Sequence, residues 1–304
     1  GLVTRVLIEN GKATGVEVVE GKGALTQKIH ADKEVVICAG AVQSPQILML
    51  SGIGNPEHLD RFGIKATVKS PGVGQNLQDH LDVTVIHEMT QPVSAYSQQK
   101  GLKKIGVGLK YLYNQTGAGA DNFLQAGAFL NSREGLSMPD IQLHLVNAIM
   151  MDHGNHDPQK DGFTVHACQL RPESRGTICL ASADPFAHPA IDPNYLATEE
   201  DRRVMRESVK MVRDICGQSA LNALRGNEIM PGASVSTDDD IDSFIRRMGE
   251  TIYHPVGTVA MGTSESSPPE QASRYWSQGA VAGPQNACPV APAWKCGGAR
   301  WGGP

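Results

Sequence analysis

The chain has 304 residues and a formal net charge of -5, with 40% hydrophobic and 19% charged residues. This length can bury one large core or two interleaved cores, and the composition is that of an ordinary globular protein. The negative charge leaves no basic face for nucleic acid, so no nucleic-acid partner is expected. No apolar run approaches the roughly 18 residues of a membrane span, so no transmembrane segment is predicted.

The chain begins with strand-like residues and has neither an initiator Met nor a secretory pattern, so we interpret it as part of a longer protein. The cysteines form no C-x-x-C pair of the kind that binds zinc. Cys38, within VVICAG, is expected to be a small buried hydrophobe. A reducing, cytoplasmic setting fits these features best. Peripheral attachment to an inner membrane stays open as an alternative.

Alternating apolar and polar residues predict strands at 3–9 and 15–20, joined by an Asn-Gly-Lys turn, and a third strand at 28–37. The third strand runs into small residues at 39–41, and a helix is predicted to open at Ser44-Pro45. Small residues let a ligand approach the backbone, and a helix N-terminus favours negative charge. A cofactor-facing turn and plain strand-to-helix packing are both compatible with this segment.

The pattern changes from about residue 82, where VTVIHEM predicts a strand. The Gly- and Gln-rich stretch at 95–122 carries a short helix, and the loop around it is expected to face the substrate. DIQLHLVNAI at 140–149 predicts another strand. FTVHACQLRP and GTICLAS are predicted to form a hairpin that turns at ESRG.

Helical periodicity covers 199–216, and its charged residues are interpreted as a solvated face. Thr237 and Asp240 predict an N-terminal cap for the next helix. The composition changes abruptly after Gly262, and all three tryptophans lie beyond that point. We therefore predict that 263–304 is a non-native or disordered tail.

Five segments then occur in a recognisable order. They are GAVQSPQILMLSGIG at 40–54, VGQNLQDHL at 73–81, LRPESRGTICLASADP at 170–185, PAIDPNYL at 189–196 and YHPVGTVAMG at 253–262. The first resembles the second signature of the glucose–methanol–choline oxidoreductase family. With the other four it makes residues 1–262 similar to that family, most closely to its branch of choline dehydrogenases and related bacterial alcohol dehydrogenases.

The resemblance implies an α/β fold in which a partial, Rossmann-like FAD-binding domain is interleaved with a substrate domain. The substrate domain is expected to be α+β, with an antiparallel sheet plus helices. The implied limits are 1–80 for the FAD-binding part, 81–250 for the substrate-binding domain and 251–262 for the return to the FAD domain. The family's pyrophosphate-binding G-x-G-x-x-G and its second active-site His or Asn have no match in the chain.

By position, the resemblance also implies which residues contact the cofactor FAD. They are Ala39, Gly40 and Ala41 at its adenosine part, Asn76, Asp79 and His80 near the flavin edge, and His254 facing the flavin and the substrate hydroxyl. Alcohol oxidation sends a hydride to the flavin and needs a base for the hydroxyl proton. Histidine suits that base because its unperturbed pKa lies near working pH.

The implied function is the oxidation of a primary alcohol to its aldehyde by FAD with His254 as base. The alcohol is choline-like, aliphatic or aryl, and the electrons pass to a quinone, another carrier or oxygen. A hydroxynitrile lyase on the same scaffold and an inactive fragment are the alternatives. MMDHGNHD at 150–157 lacks a helical H-x-x-x-H spacing, so no metal site is expected. His30, His58 and His188 are expected at the surface.

Overall fold

The computed structural model describes residues 1–151, 154 and 158–261. The chain forms two compact units. One comprises Gly1–Leu77, Gly176–Pro193 and the chain from Val256 onward, and the other comprises Gln78–Arg175 and Asn194–Pro255. The predicted tail and the residues Asp152, His153, His156 and Asp157 lie outside the described residues. The domain limits predicted for the enzyme stay a prediction.

The described part of the first unit is built from three small sheets and two helices. Its elements are β1 (Leu2–Glu9), β2 (Lys12–Val19), β3 (Thr26–His30), α1 (Gly40–Leu50), β4 (Ile53–Gly54), α2 (Pro56–Asp60), β5 (Val68–Lys69), β10 (Thr177–Cys179) and β11 (Ala190–Asp192). Strands β1, β2 and β3 form an antiparallel sheet in that order, β10 pairs antiparallel with β11, and β4 pairs parallel with β5.

The two predicted strands and the turn between them are present, but β2 begins at Lys12, three residues earlier than predicted. Asn10 and Gly11 take positive φ angles of 51° and 76°, as a tight hairpin turn requires. The third strand is shorter than predicted, because its pairing with β2 ends at His30 and the following residues join no strand. Without a sheet neighbour the apolar run is not covered, and Cys38 is exposed rather than buried.

Helix α1 begins at Gly40, earlier than predicted, so Pro45 lies inside the helix and not in its opening turn. Leu48 and Met49 of this helix form the core of the unit together with Leu59, Val73 and Leu180. The prediction that His58 lies at the surface is wrong. Its ring is buried, and its Nε2 accepts a hydrogen bond from the Leu180 amide at 3.1 Å.

The second unit is an antiparallel sheet covered by helices. Its elements are β6 (Leu81–Met89), α3 (Ala95–Gln98), α4 (Gly101–Asn114), β7 (Leu124–Leu130), β8 (Ile141–Val146), β9 (Gly162–Gln169), α5 (Glu199–Gly217), β12 (Arg225–Met230), α6 (Asp238–Met248) and β13 (Glu250–Thr251). The six-stranded sheet has the order β12-β6-β9-β8-β7, with β13 beside β6.

Helices α5 and α6 complete the core of this unit. Val204, Met205 and Val209 on α5 pack against sheet residues such as Val83 and Val165. The predicted helix start at Thr237 is confirmed, because Thr237 and Asp240 form a capping box. None of the helices in the described ranges is long and apolar enough to cross a membrane.

The prediction of a hairpin that turns at ESRG is wrong. Strand β9 pairs with β6 and β8, whereas β10 pairs with β11 in the other unit. The chain passes from one unit to the other between Arg175 and Gly176. A Cβ placed on Gly176 would lie 2.0 Å from the Asp192 carbonyl oxygen and collide with it. This glycine therefore lets two backbone segments pass close together and does not form a turn.

The charged residues of α5 were predicted to form a solvated face, and Asp201 is an exception. Asp201 is buried, and its carboxylate accepts hydrogen bonds from the backbone amides of Glu173 and Ser174, each 2.8 Å long. The side chains of Gln169 and Ser174 also donate to it. Asp201 therefore holds the end of β9 and the segment that follows it.

Candidate active site

Two histidines far apart in sequence lie ring to ring in the second unit. The Nδ1 atoms of His80 and His254 are 3.2 Å apart, and the ring centroids are 5.2 Å apart in an edge-on arrangement of 83°. His80 Nε2 lies 3.1 Å from the carbonyl oxygen of Leu170. A carbonyl only accepts, so Nε2 of His80 carries the proton that it donates there.

This proton position determines the role of the second ring. With its proton on Nε2, the neutral His80 ring offers Nδ1 as an acceptor, so Nδ1 of His254 is the donor between the two rings. A neutral His254 then carries its lone pair on Nε2. His254 is exposed, and this nitrogen is free to accept a proton from a bound molecule.

The electrostatic setting of His80 supports the neutral ring. Burial lowers the pKa of His80 most strongly, and the neighbouring His254 lowers it further, whereas the Asp79 carboxylate and the Leu170 carbonyl raise it. The net pKa lies below the ordinary value of 6.5. His80 is therefore a neutral imidazole at neutral pH, and its Nδ1 can accept the hydrogen bond from His254.

Asp79 holds His254 through the backbone. The amide of His254 donates to Asp79 Oδ1 at 2.9 Å, and the Thr251 hydroxyl donates to Oδ2 at 2.5 Å. The Tyr195 hydroxyl also donates to Oδ2. Tyr253, just before His254, has a φ of 63°, a rare angle for an aromatic residue, and it needs such neighbouring contacts to persist.

A second polar group lies on the same sheet. His166 Nδ1 contacts Asp82 Oδ2 at 2.6 Å, and His144 is the cross-strand partner of His166. Burial raises the pKa of Asp82 despite its hydrogen bond with His166. Burial also lowers the pKa of His144, and His254 is among the further charges that lower it. None of these three residues stands out as a candidate in the sequence.

In the first unit, residues 39–41 form the uncapped start of α1. Ala39 occupies the N-cap position without a side-chain hydrogen bond, and the first turn carries no acidic residue. Gly40 has a φ of 78°, and a Cβ placed on it would meet nothing within 4 Å. The free amides and open space suit a polar or anionic group of a ligand. The carbonyl of Ala41 instead accepts a hydrogen bond from the Thr258 hydroxyl.

Asn76 lies beside the segment that follows His254 in sequence. Its Nδ2 donates to the Gly257 carbonyl at 3.2 Å, while its Oδ1 is buried and has no hydrogen-bond partner among the described residues. The Gly74 amide donates to the Thr258 carbonyl at 2.8 Å. The residues predicted from the sequence therefore form separate groups, with Asp79, His80 and His254 in one unit and the remainder in the other.

Thr251, Tyr195 and Thr258 support these groups and were missed as functional candidates. Tyr195 and Thr258 lie inside the family segments PAIDPNYL and YHPVGTVAMG, which is the signal that could have found them. Thr251 lies outside those segments, and its contact with Asp79 spans 172 residues. Sequence spacing could not have shown that contact.

One cleft of the second unit has a volume of about 900 Å³ and is lined mainly by residues between Gln115 and Phe123, just before β7. Val93, Gln98, Asp121 and Asn147 are among its lining residues, but neither histidine of the pair is. The substrate-facing role expected for the stretch at 95–122 therefore stays a prediction.

Comparison with known proteins identifies the class of this chain. The N-terminal sequence profile of GMC oxidoreductases matches residues 2–82, and the C-terminal profile matches residues 172–268. The chain therefore belongs to the GMC oxidoreductase family, which confirms the resemblance found in its sequence.

Particular relatives refine that placement. The chain is 44% identical over 263 residues to mitochondrial choline dehydrogenase of Mus musculus, covering 86% of this chain and 44% of the relative. It is 42% identical over 261 residues to oxygen-dependent choline dehydrogenase of Cronobacter sakazakii, covering 86% and 47%. The chain thus spans about half the length of the curated relatives it matches.

A solved structure confirms the mixed fold of helices and antiparallel sheets. A variant of formate oxidase from Aspergillus oryzae, studied for its FAD modification, superposes with a TM-score of 0.80 at 25% identity. The superposition covers 88% of this chain and 52% of that chain.

Proposed function

We propose that the enzyme containing this chain oxidises a primary alcohol to its aldehyde with FAD as hydride acceptor. The observation that carries this proposal is the Nε2 atom of His254, which is exposed and left as a proton acceptor by the bond to His80. Relatives named choline dehydrogenase make an alcohol the fitting substrate class. A choline-like, an aliphatic and an aryl alcohol are the candidates.

The residues of the chain fit FAD at two places in the first unit. The uncapped start of α1 at Ala39 and Gly40 offers free amides without a competing carboxylate. The buried Oδ1 of Asn76 needs a donor that the described residues do not supply. The structure compared above belongs to a protein with FAD. When bound, the flavin supplies the hydride acceptor.

In this proposal His254 accepts the hydroxyl proton of the alcohol at Nε2. Asp79 positions the backbone of His254, and His80 orients its ring by accepting the Nδ1 proton. A base placed in this way contributes on the order of 10²–10⁴ in rate. The proposal also includes an electron acceptor that reoxidises the flavin, which is a quinone, another carrier or oxygen. This part of the proposal comes from the chemistry of the reaction and not from a residue described above.

The test compares the wild type with His254→Ala in the longest reading frame that contains this chain. We expect the flavin absorbance to bleach when choline or benzyl alcohol is added without oxygen. The variant should bind FAD equally well but bleach on the order of 10²–10⁴ times more slowly. His188→Ala, a change at an exposed histidine in the other unit, is the control and should bleach like the wild type.

Bleaching at the wild-type rate by His254→Ala would remove the base assignment. Cyanide release from a cyanohydrin, with no bleaching by any alcohol, would identify a hydroxynitrile lyase and overturn the redox proposal. The 304-residue chain should be titrated with FAD separately. Failure of the chain alone to retain the cofactor would show an inactive fragment while leaving the enzyme's function open to the first test.

A further inference from the structure

Helix α4 is exposed along its whole length, since none of its 14 residues is buried. Leu102, Leu109 and Leu112 have exposed fractions of 84%, 63% and 81%, and Ile105 and Tyr113 are also exposed. At 3.6 residues per turn, these five side chains occupy an arc of about 100° on one face of the helix. Such an arc normally faces a protein core.

The opposite face of α4 is the one that meets the protein. A Cβ placed on Gly119 would lie 3.0 Å from the Tyr111 Cβ and 3.5 Å from the Val107 Cγ1. Val107 and Tyr111 therefore face the turn at Ala118–Ala120, half a helical circumference from the leucines. The leucine arc consequently points away from the second unit.

The charges of the helix are all of one sign. Residues 100–114 contain four lysines and no acidic residue, although the whole chain has a net charge of -5. Lys103, Lys104 and Lys110 are exposed and lie about 60–80° beyond the two edges of the leucine arc. A Cβ placed on Gly117 would lie 3.0 Å from the Lys110 Cδ, so the stem of Lys110 runs along the turn that follows the helix. The three lysines form no ion pair with any residue that the structure describes. Lys100 lies over the Tyr96 ring at 3.7 Å.

We propose that α4 docks on an anionic membrane surface. The leucine arc enters the boundary between headgroups and acyl chains, and the flanking lysines reach the anionic headgroups. A second copy of the chain is a poorer occupant, because its helix carries the same lysines and no acidic residue that could pair with them. The proposal stands independently of the alcohol-oxidising function.

The test uses the full chain and vesicles of two compositions, phosphatidylcholine alone and an equimolar mixture of phosphatidylcholine and phosphatidylglycerol. We expect the chain to float with the mixed vesicles, and to do so less as salt is added. Changing Lys103, Lys104 and Lys110 to Gln should weaken this binding by about a hundredfold, at roughly a factor of five for each lysine. The matched control changes the exposed Lys12, Lys33 and Lys65 to Gln and should retain binding.

A second variant tests the apolar part. Changing Leu102, Leu109 and Leu112 to Gln, a good helix former, should reduce binding at least roughly tenfold. Leu25→Gln, which alters an exposed leucine in the other unit, should not. Far-UV circular dichroism checks that each variant keeps its fold.

Three results would overturn the proposal. One is equal binding to both vesicle compositions, and another is no binding to either. The third is a concentration-dependent dimer in sedimentation that the leucine variant abolishes, because it would assign the arc to a second copy.

Discussion

The hydroxyl of Thr258 donates a 2.5 Å hydrogen bond to the carbonyl of Ala41, which a regular helix would pair with the amide of residue 45. Residue 45 is proline and has no amide hydrogen, so the carbonyl lacks its helical partner. The proline inside α1 and the threonine after His254 are therefore complementary. The contact links two of the family segments found in the sequence.

Thr258→Val should lower the free energy of unfolding by about 1–3 kcal/mol, because it leaves a carbonyl unsatisfied in a buried place. Urea denaturation measures this change, and the exposed Thr26→Val serves as the control. Pro45→Ala restores an amide that competes for the Ala41 carbonyl. The cost of Thr258→Val should therefore shrink in the Pro45→Ala background, and an equal cost in both backgrounds would disprove the complementarity.

The charges around His80 predict opposite pKa changes in two variants. His254→Gln removes a charge that lowers the pKa of His80, so that pKa should rise. Asp79→Asn removes a charge that raises it, so the pKa should fall further. Histidine ring resonances followed by NMR against pH measure both changes. Asp121→Asn, at an exposed carboxylate, is the control, and changes of the same sign in the two site variants would contradict the arrangement.

Because His58 is buried, we expect the protein to lose stability in mild acid. Burial lowers the pKa of His58, and the Arg61 charge adds to this, so the folded ring resists protonation that the unfolded ring accepts below the ordinary value of 6.5. The unfolded state then binds more protons, and the free energy of unfolding falls as the pH drops from about 7 to about 5. His58→Gln should make this fall shallower in urea titrations. An unchanged slope, matching that of the His188→Gln control, would refute it.

We expect the replacement of Asp201 to destabilise the protein strongly. Asp201→Ala removes the acceptor of two backbone amides and two side chains, so the free energy of unfolding should drop by about 3 kcal/mol or more. Circular dichroism in urea measures the drop, and Asp32→Ala at an exposed acid is the control. A change of similar, small size in both variants would show that the buried carboxylate contributes little.

Elements with strong local patterns could be predicted from the sequence. The alternation in β1 and β2, the periodicity of α5 and the capping residues of α6 act within a few residues. Each element lies where it was predicted, apart from the earlier start of β2 at Lys12. The pairing of β10 with β11 could not, because turn chemistry at ESRG says nothing about a distant strand partner. Burial of His58 likewise depends on Leu180, 122 residues away.

The candidate site was predictable only through the family segments. Asp79, His80 and His254 were singled out from VGQNLQDHL and YHPVGTVAMG, but residue spacing carried no sign that the two rings meet. The proton positions of the pair depend on the Leu170 carbonyl, a backbone atom that no side-chain pattern reveals. The roles of these residues in catalysis stay predictions.

The alternation of the chain between the two units has a consequence for biosynthesis. In the first unit, the Gly74 amide and the Ala41 carbonyl both form hydrogen bonds with Thr258. Thr258 leaves the ribosome long after these two residues, so neither bond can form until then. Among the residues of this chain, those of the second unit all precede Val256. Translation order therefore favours the second unit as the first to mature, and a nascent chain stalled before Val256 would expose an unfinished first unit to chaperones and proteases.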